Sequence, residues 1–227
     1  MKFLFVKTVP VVSWSSKKPL NFTPGLVTLS LLNLGLICFG VGEALLIAAG
    51  AGVSPWTVLA QGISNLSNWS IGVSTFAVSV GVLLFWVPLK QTPGLGTLLN
   101  VVVISVAIEW SLPYLPTPEH YALKIVELVM GILLVGLGSG MYLIANLGPG
   151  PRDGLMLGLQ RVTTLPIAVV RTSIEISAVA IGWLLGGSVG LGTLLFAFGI
   201  GYAVSIGLYF VAHFSPGIDP GKSNIDP

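Results

Sequence analysis

The chain has 227 residues, of which 54% are hydrophobic and 8% charged, with a formal net charge of +2 and a mean hydropathy of +0.94. A soluble domain carries about 25% charged residues, so this composition excludes a water-covered globule, and with it a separate soluble domain or a basic nucleic-acid-binding face. One membrane span takes roughly 20 residues, so six or seven spans leave little chain for loops.

The first 25 residues contain an apolar stretch broken by Lys7 and Pro10, with no small-residue cleavage site after it. They read as a retained cytoplasmic tail lying on the membrane surface rather than a signal peptide. The first span is expected from Leu26 to Ala49, apolar apart from Asn33 and Glu43. A short helix follows. Ser54 suits its N-cap, and Pro55 suits the first helical position, where no backbone N–H is needed. The pattern ends near Asn65, and about a dozen residues rise some 18 Å, less than the roughly 30 Å of hydrocarbon. This helix is therefore re-entrant or interfacial.

Further spans are expected at Ile71–Leu89 and Leu95–Leu112, the latter with Glu109 near its end. The proline-rich residues 113–121 read as a linker. A fourth span, Ala122–Ala145, carries the small-xxx-small pair Gly136 and Gly140, which suits close helix approach. That pair is compatible with a homodimer and equally with internal packing. A second short helix is expected over Pro151–Thr163, then spans at Ile167–Leu185 and Leu191–His213, and a disordered polar tail over 214–227.

Two stretches, Gly50–Ser64 and Asn146–Arg161, share one design. Aligning Pro55 with Pro151, a shift of 96 positions, brings Gly52 onto Gly148 and Gly62 onto Gly158. At the same shift the run Gly94-Leu95-Gly96-Thr97-Leu98-Leu99 falls on Gly190-Leu191-Gly192-Thr193-Leu194-Leu195. The chain thus reads as two copies of one unit, over 26–112 and 122–213. Three full spans per unit make the copies inverted. Lys2, Lys7, Lys17, Lys18, Lys90, Arg152, Arg161 and Lys222 then share the side of the N-terminus, and of the lysines only Lys124 opposes them. Cytoplasmic loops carry the Lys/Arg excess, so both termini are expected inside. The fold class expected is an all-α polytopic membrane protein with six transmembrane helices plus two short re-entrant or interfacial ones, built as two inverted three-span repeats.

Inverted repeats with interrupted helices place binding sites at the repeat interface near the bilayer midplane. The amino ends of the short helices present open amides and partial positive charge. Charges within spans are costly, so Glu43, Arg171 and Glu175 stand out. Arg171 and Glu175, four apart, share a helix face and can pair. Their counterparts in the first unit are Thr75 and Ser79, and Glu43 corresponds to Ser139. Arg152 reads either as a substrate-facing cation or as a marker of the cytoplasmic side. Asp153 can satisfy the amides of its own helix, as can Thr57 at the matching position. Gln61 is a further lining candidate. The candidate binding set is Glu43, Ser54, Thr57, Gln61, Arg152, Asp153, Arg171 and Glu175, framed by Gly52, Pro55, Gly62, Gly148, Pro151 and Gly158. Glu109 and Glu127 are expected at the interface, and Trp56, Trp69, Trp86, Trp110 and Trp183 in an aromatic belt.

Cys38 is the lone cysteine, and His120 and His213 lie far apart, so no metal site is expected. No phosphate loop, nucleophile elbow or HExxH is present, and neither an enzyme nor a cofactor is expected.

With these residues in view, GVSPWTVLAQGIS and LGPGPRDGLMLGL resemble the YczE/YyaS/YitT-like family of bacterial integral membrane proteins, PRDGLM being the most specific part. The resemblance runs from about Leu26 to Phe214. It implies a multi-span inner-membrane protein and carries over no catalytic residue. Taken together, these readings favour a small-molecule transporter or permease-like protein handling a polar or anionic solute. The alternative is a non-transporting accessory protein, either a substrate-capture subunit or a scaffold for a membrane partner.

Overall fold

A computed structural model describes residues 9–215. They form eight α-helices: α1 Leu26–Ala48, α2 Pro55–Ser67, α3 Ile71–Trp86, α4 Leu95–Ser111, α5 Tyr121–Ala145, α6 Pro151–Thr163, α7 Ile167–Leu184 and α8 Leu191–Phe214. A 3-10 turn, Leu112–Tyr114, continues α4, and no strand occurs among the described residues. The long helices follow uninterrupted apolar runs. The short ones begin at a proline and stop where Asn68 and Thr164 turn left-handed. Five helices are long and apolar enough to cross a bilayer. The α2–α3 pair passes as a sixth only when taken together, and it bends by 114° at its break. With 16 residues, α3 rises only about 24 Å. The protein is therefore a multi-pass helical membrane protein.

Among the described residues the backbone repeats at the 96-residue shift. The positions with positive φ fall into pairs at that spacing: Gly50 with Asn146, Gly52 with Gly148, Asn68 with Thr164, and Lys90 with Gly186. Contacts between the halves are reciprocal. The Gly96 amide donates to the Leu147 carbonyl and the Gly192 amide to that of Ala51, both at 2.7 Å. Gly52, at φ +100°, lies against Gly190, and Gly148, at φ +110°, against Gly94. A side chain at either turn would be strained and would strike backbone. Likewise α2 packs on α7 while α3 packs on α6, and α1 crosses α5 at the centre. Gly136 and Gly140 are used inside the molecule, against Ala203 and against Gly207–Leu208 of α8.

The connections sort into two ends. At one, the turn after α1 meets the start of α8, Gly72 of α3 meets Glu109 of α4, and Asn65 of α2 reaches Gly186. At the other, the start of α4 meets Leu147, Gly158 of α6 meets Leu89, and the N-terminal segment joins the ends of α5 and α8. That segment differs from the expected surface-lying tail. Val12, Trp14 and Ser16 are buried. The Ser16 amide bonds the Ala145 carbonyl at 3.0 Å, the Thr28 hydroxyl donates to the Trp14 carbonyl, and Trp14 Nε1 donates to Ser215 Oγ. The segment thereby satisfies one carbonyl that the end of α5 would otherwise leave open. The expected disordered tail lies, beyond Ser215, outside the described residues, as do residues 1–8.

Candidate functional site

Each short helix starts deep in the molecule, and the two starts face each other. Pro55 and Trp56 from α2 line the same cavity as Gly150, Pro151, Arg152 and Asp153 from α6; its volume is about 240 Å³. The cavity straddles the two halves. Its walls include residues 96 positions apart: Phe39 and Val135, Thr75 and Arg171, Ser79 and Glu175, Asn100 and Phe196, Ile104 and Ile200. The fold therefore supplies a symmetric scaffold on which the two sets of side chains differ. The first half contributes hydroxyls and an amide where the second contributes ions and a phenyl ring.

Four of the sequence-derived candidates meet here: Arg152, Asp153, Arg171 and Glu175. The Arg152 guanidinium lies over the Trp56 ring, 5.3 Å from its centroid, in the field of Glu43, Asp153 and Glu175. Among the described residues it has no hydrogen bond or ion pair. Asp153 accepts from the Tyr142 hydroxyl at 2.5 Å. Around Gly150 the polar atoms Asp153 Oδ2, Asn100 Nδ2 and Tyr142 Oη converge, each within 4 Å of where a Cβ would stand. Arg171 and Glu175 form the expected pair, Nε to Oε1 at 3.0 Å, with side chains 54% and 34% exposed.

Three candidates form a second cluster behind the start of α2. Glu43 is 1% exposed. Ser54 Oγ lies 3.0 and 2.8 Å from its two carboxyl oxygens, and the Thr57 hydroxyl donates to Oε2 at 2.7 Å. Ser54 thus holds the N-cap position without capping; its hydroxyl serves Glu43 instead. Each short helix consequently has a carboxyl group at its positive end, Glu43 for α2 and Asp153 for α6, where the dipole favours one. Gln61 sits apart from both clusters and accepts from the Ser188 amide at 2.9 Å, tying α2 to the α7–α8 turn. Gly62 packs on α7 at Gly182, as Gly158 does on Leu89.

Two groups of sequence expectations are corrected. Trp56 and Trp86 do not belong to a belt. Trp56 lines the cavity, and Trp86, 2% exposed, donates from Nε1 to the Pro151 carbonyl at 2.9 Å. Trp69, Trp110 and Trp183 are exposed. Glu127 is not interfacial in the sense of being solvated: it is 6% exposed, and neither carboxyl oxygen has a partner among the described residues. Glu109 accepts from the Gly72 amide at 3.0 Å. The sequence reading missed Tyr142 and Asn100 as wall residues. Asn100 carries a usable signal, an amide inside an apolar helix; Tyr142 does not stand out from its neighbours.

The chain from residue 26 to 208 matches the model of a family of unknown function, DUF6198. An uncharacterized protein of Haemophilus influenzae is 44% identical over 207 residues, covering 91% of this chain and 94% of its own. The uncharacterized membrane protein YczE of Bacillus subtilis is 34% identical over 72% of this chain and 77% of its own. The uncharacterized protein YyaS of the same organism is 26% identical over 72% and 83%. No solved structure matches.

Proposed function

We propose that this chain, which belongs to the DUF6198 family of unknown function, is a small-molecule transporter or permease-like protein of the bacterial inner membrane, built as two inverted repeats, with both termini cytoplasmic. It binds a small polar or anionic group in the central cavity. The observation that carries the reading is Arg152. A guanidinium has five N–H donors, and here it faces the cavity over the Trp56 ring with no hydrogen-bond partner among the described residues. Glu43, Asp153 and Glu175 lie in its field, but none bonds it. Leaving donors unpaired in a low-dielectric site is costly, and an oxyanion ligand that accepts from them offsets that cost. The cavity, at about 240 Å³, is smaller than the roughly 300–1,000 Å³ typical of drug-sized sites, so it suits a head group of phosphate or carboxylate size.

The reciprocal contacts support a two-fold relation between the halves, and the equivalent turns at opposite ends of the bundle, with the short helices opposed, support the inverted arrangement. A cavity walled by both repeats is where rocking of one repeat against the other would expose a solute to either side.

A metabolite screen by thermal shift in detergent, followed by proteoliposome uptake, tests the reading. Small oxyanions are expected to raise the melting temperature, because a ligand of the folded state stabilises it. Arg152→Gln is expected to abolish the shift, and Arg171→Ala to abolish uptake while leaving insertion intact. Arg152-independent stabilisation would refute the assignment. Binding without uptake by the isolated protein would favour a substrate-capture subunit that works with a membrane partner.

A further inference from the structure

The two halves share a backbone plan, yet one seam differs. In the first half α3 packs along α4. Gly72 lies against Ser105 and Glu109, its amide bonded to Glu109 Oε2, and Ser105 is buried. In the second half α7 packs on α2 and α6 and has no comparable seam with α8. The sequence explains the difference. The positions matching Gly72, Ser105 and Glu109 are Ala168, Gly201 and Ser205. The carboxyl clasp is gone, and Ser205 turns its hydroxyl back to the Gly201 carbonyl of its own helix. A Cβ at Gly201 would meet nothing within 4 Å.

This gap opens onto the cavity. Arg171, Ile174 and Glu175 on α7 and Phe196, Ile200 and Val204 on α8 all line it. Arg171 is half-exposed although it lies in a span, so the wall is open at this point. The cavity is also divided by polarity. Arg152, Asp153, Tyr142 and Asn100 are at its α5–α6 side, whereas the α8 wall is wholly apolar.

Resting on the reading of the cavity as a ligand site, we propose that its ligand is a single-chain amphiphile. It enters from the bilayer between α7 and α8, with its anionic head at Arg152 and its chain left against the apolar α8 wall and the lipid beyond. A solute approaching from water alone needs no opening toward hydrocarbon. The Arg171–Glu175 pair at the lip gives the head group a polar step on its way in, in a position where exposed ions are otherwise costly.

The test uses the full chain in lipid nanodiscs with dodecyl phosphate carrying a chain diazirine, and methyl phosphate as its tail-less counterpart. Photolabelling is expected on α7 and α8 around Ile174 and Ile200, and to fall about tenfold in Arg152→Gln, the scale of one lost charge-assisted hydrogen bond. Gly201→Phe, which fills the gap away from the polar end, is expected to suppress labelling while keeping the thermal shift with methyl phosphate. Labelling spread over all lipid-facing helices and indifferent to Arg152→Gln overturns the proposal, as does labelling unchanged by Gly201→Phe. If methyl phosphate stabilises in an Arg152-dependent way but the tailed probe does not label the gap, access from the bilayer is wrong and the cavity reading survives. If neither probe responds, both fall.

Discussion

Glu43 shows how a buried acid is made tolerable inside a span. Its two partners, Ser54 and Thr57, come from beyond the turn that follows α1, and each presents a hydroxyl at hydrogen-bond distance. Removing a donor leaves a buried acceptor short of a partner, at about 1–3 kcal/mol. Thr57→Val is therefore expected to lower the melting temperature in detergent, and Ser54→Ala to do the same; unchanged melting in both would contradict the cluster. That Glu43 matters was readable from a lone acid in an apolar run. Its partners were not, because pairing across eleven and fourteen positions depends on the chain reversing at Gly50 and Gly52. Gln61 illustrates the opposite error: a polar residue on a short helix looked like lining, and it ties down a loop amide instead.

At the scale of elements, the short helices are held at their starts. Trp86, the last residue of α3, bonds the Pro151 carbonyl, and its ring lies on Gly154. A methyl group at Gly154 would enter that ring, so Gly154→Ala is expected to destabilise by about 1–3 kcal/mol, the usual range for overpacking. Gly81→Ala, facing open space, is the matched control and should be neutral or slightly stabilising. Equal melting temperatures for the two variants would argue against the α3–α6 packing. The elements themselves were legible, since prolines at 55 and 151 set the short helices and uninterrupted apolar runs set the long ones. The docking of residues 9–25 was not, because nothing in a polar, proline-containing stretch announces that its backbone will pair with the end of α5. Nor was the role of Trp86, since a tryptophan near a span end is as consistent with a belt as with a bracket.

At the scale of the molecule, duplication was visible in the sequence as shared glycines and prolines, and the left-handed positions of the backbone repeat at the same shift. The asymmetry was visible only as substitutions, Thr75 against Arg171 and Glu109 against Ser205, and acquired meaning once α7 was seen apart from α8. The central claim is that the halves are oppositely oriented and meet at the cavity. Its most direct measurement is cysteine accessibility in a Cys38→Ser background, at the matched exposed positions Trp69 and Leu165, using a membrane-impermeant maleimide on intact and permeabilised cells. Trp69→Cys is expected to label from outside and Leu165→Cys only after permeabilisation. Labelling of both from the same side would contradict it.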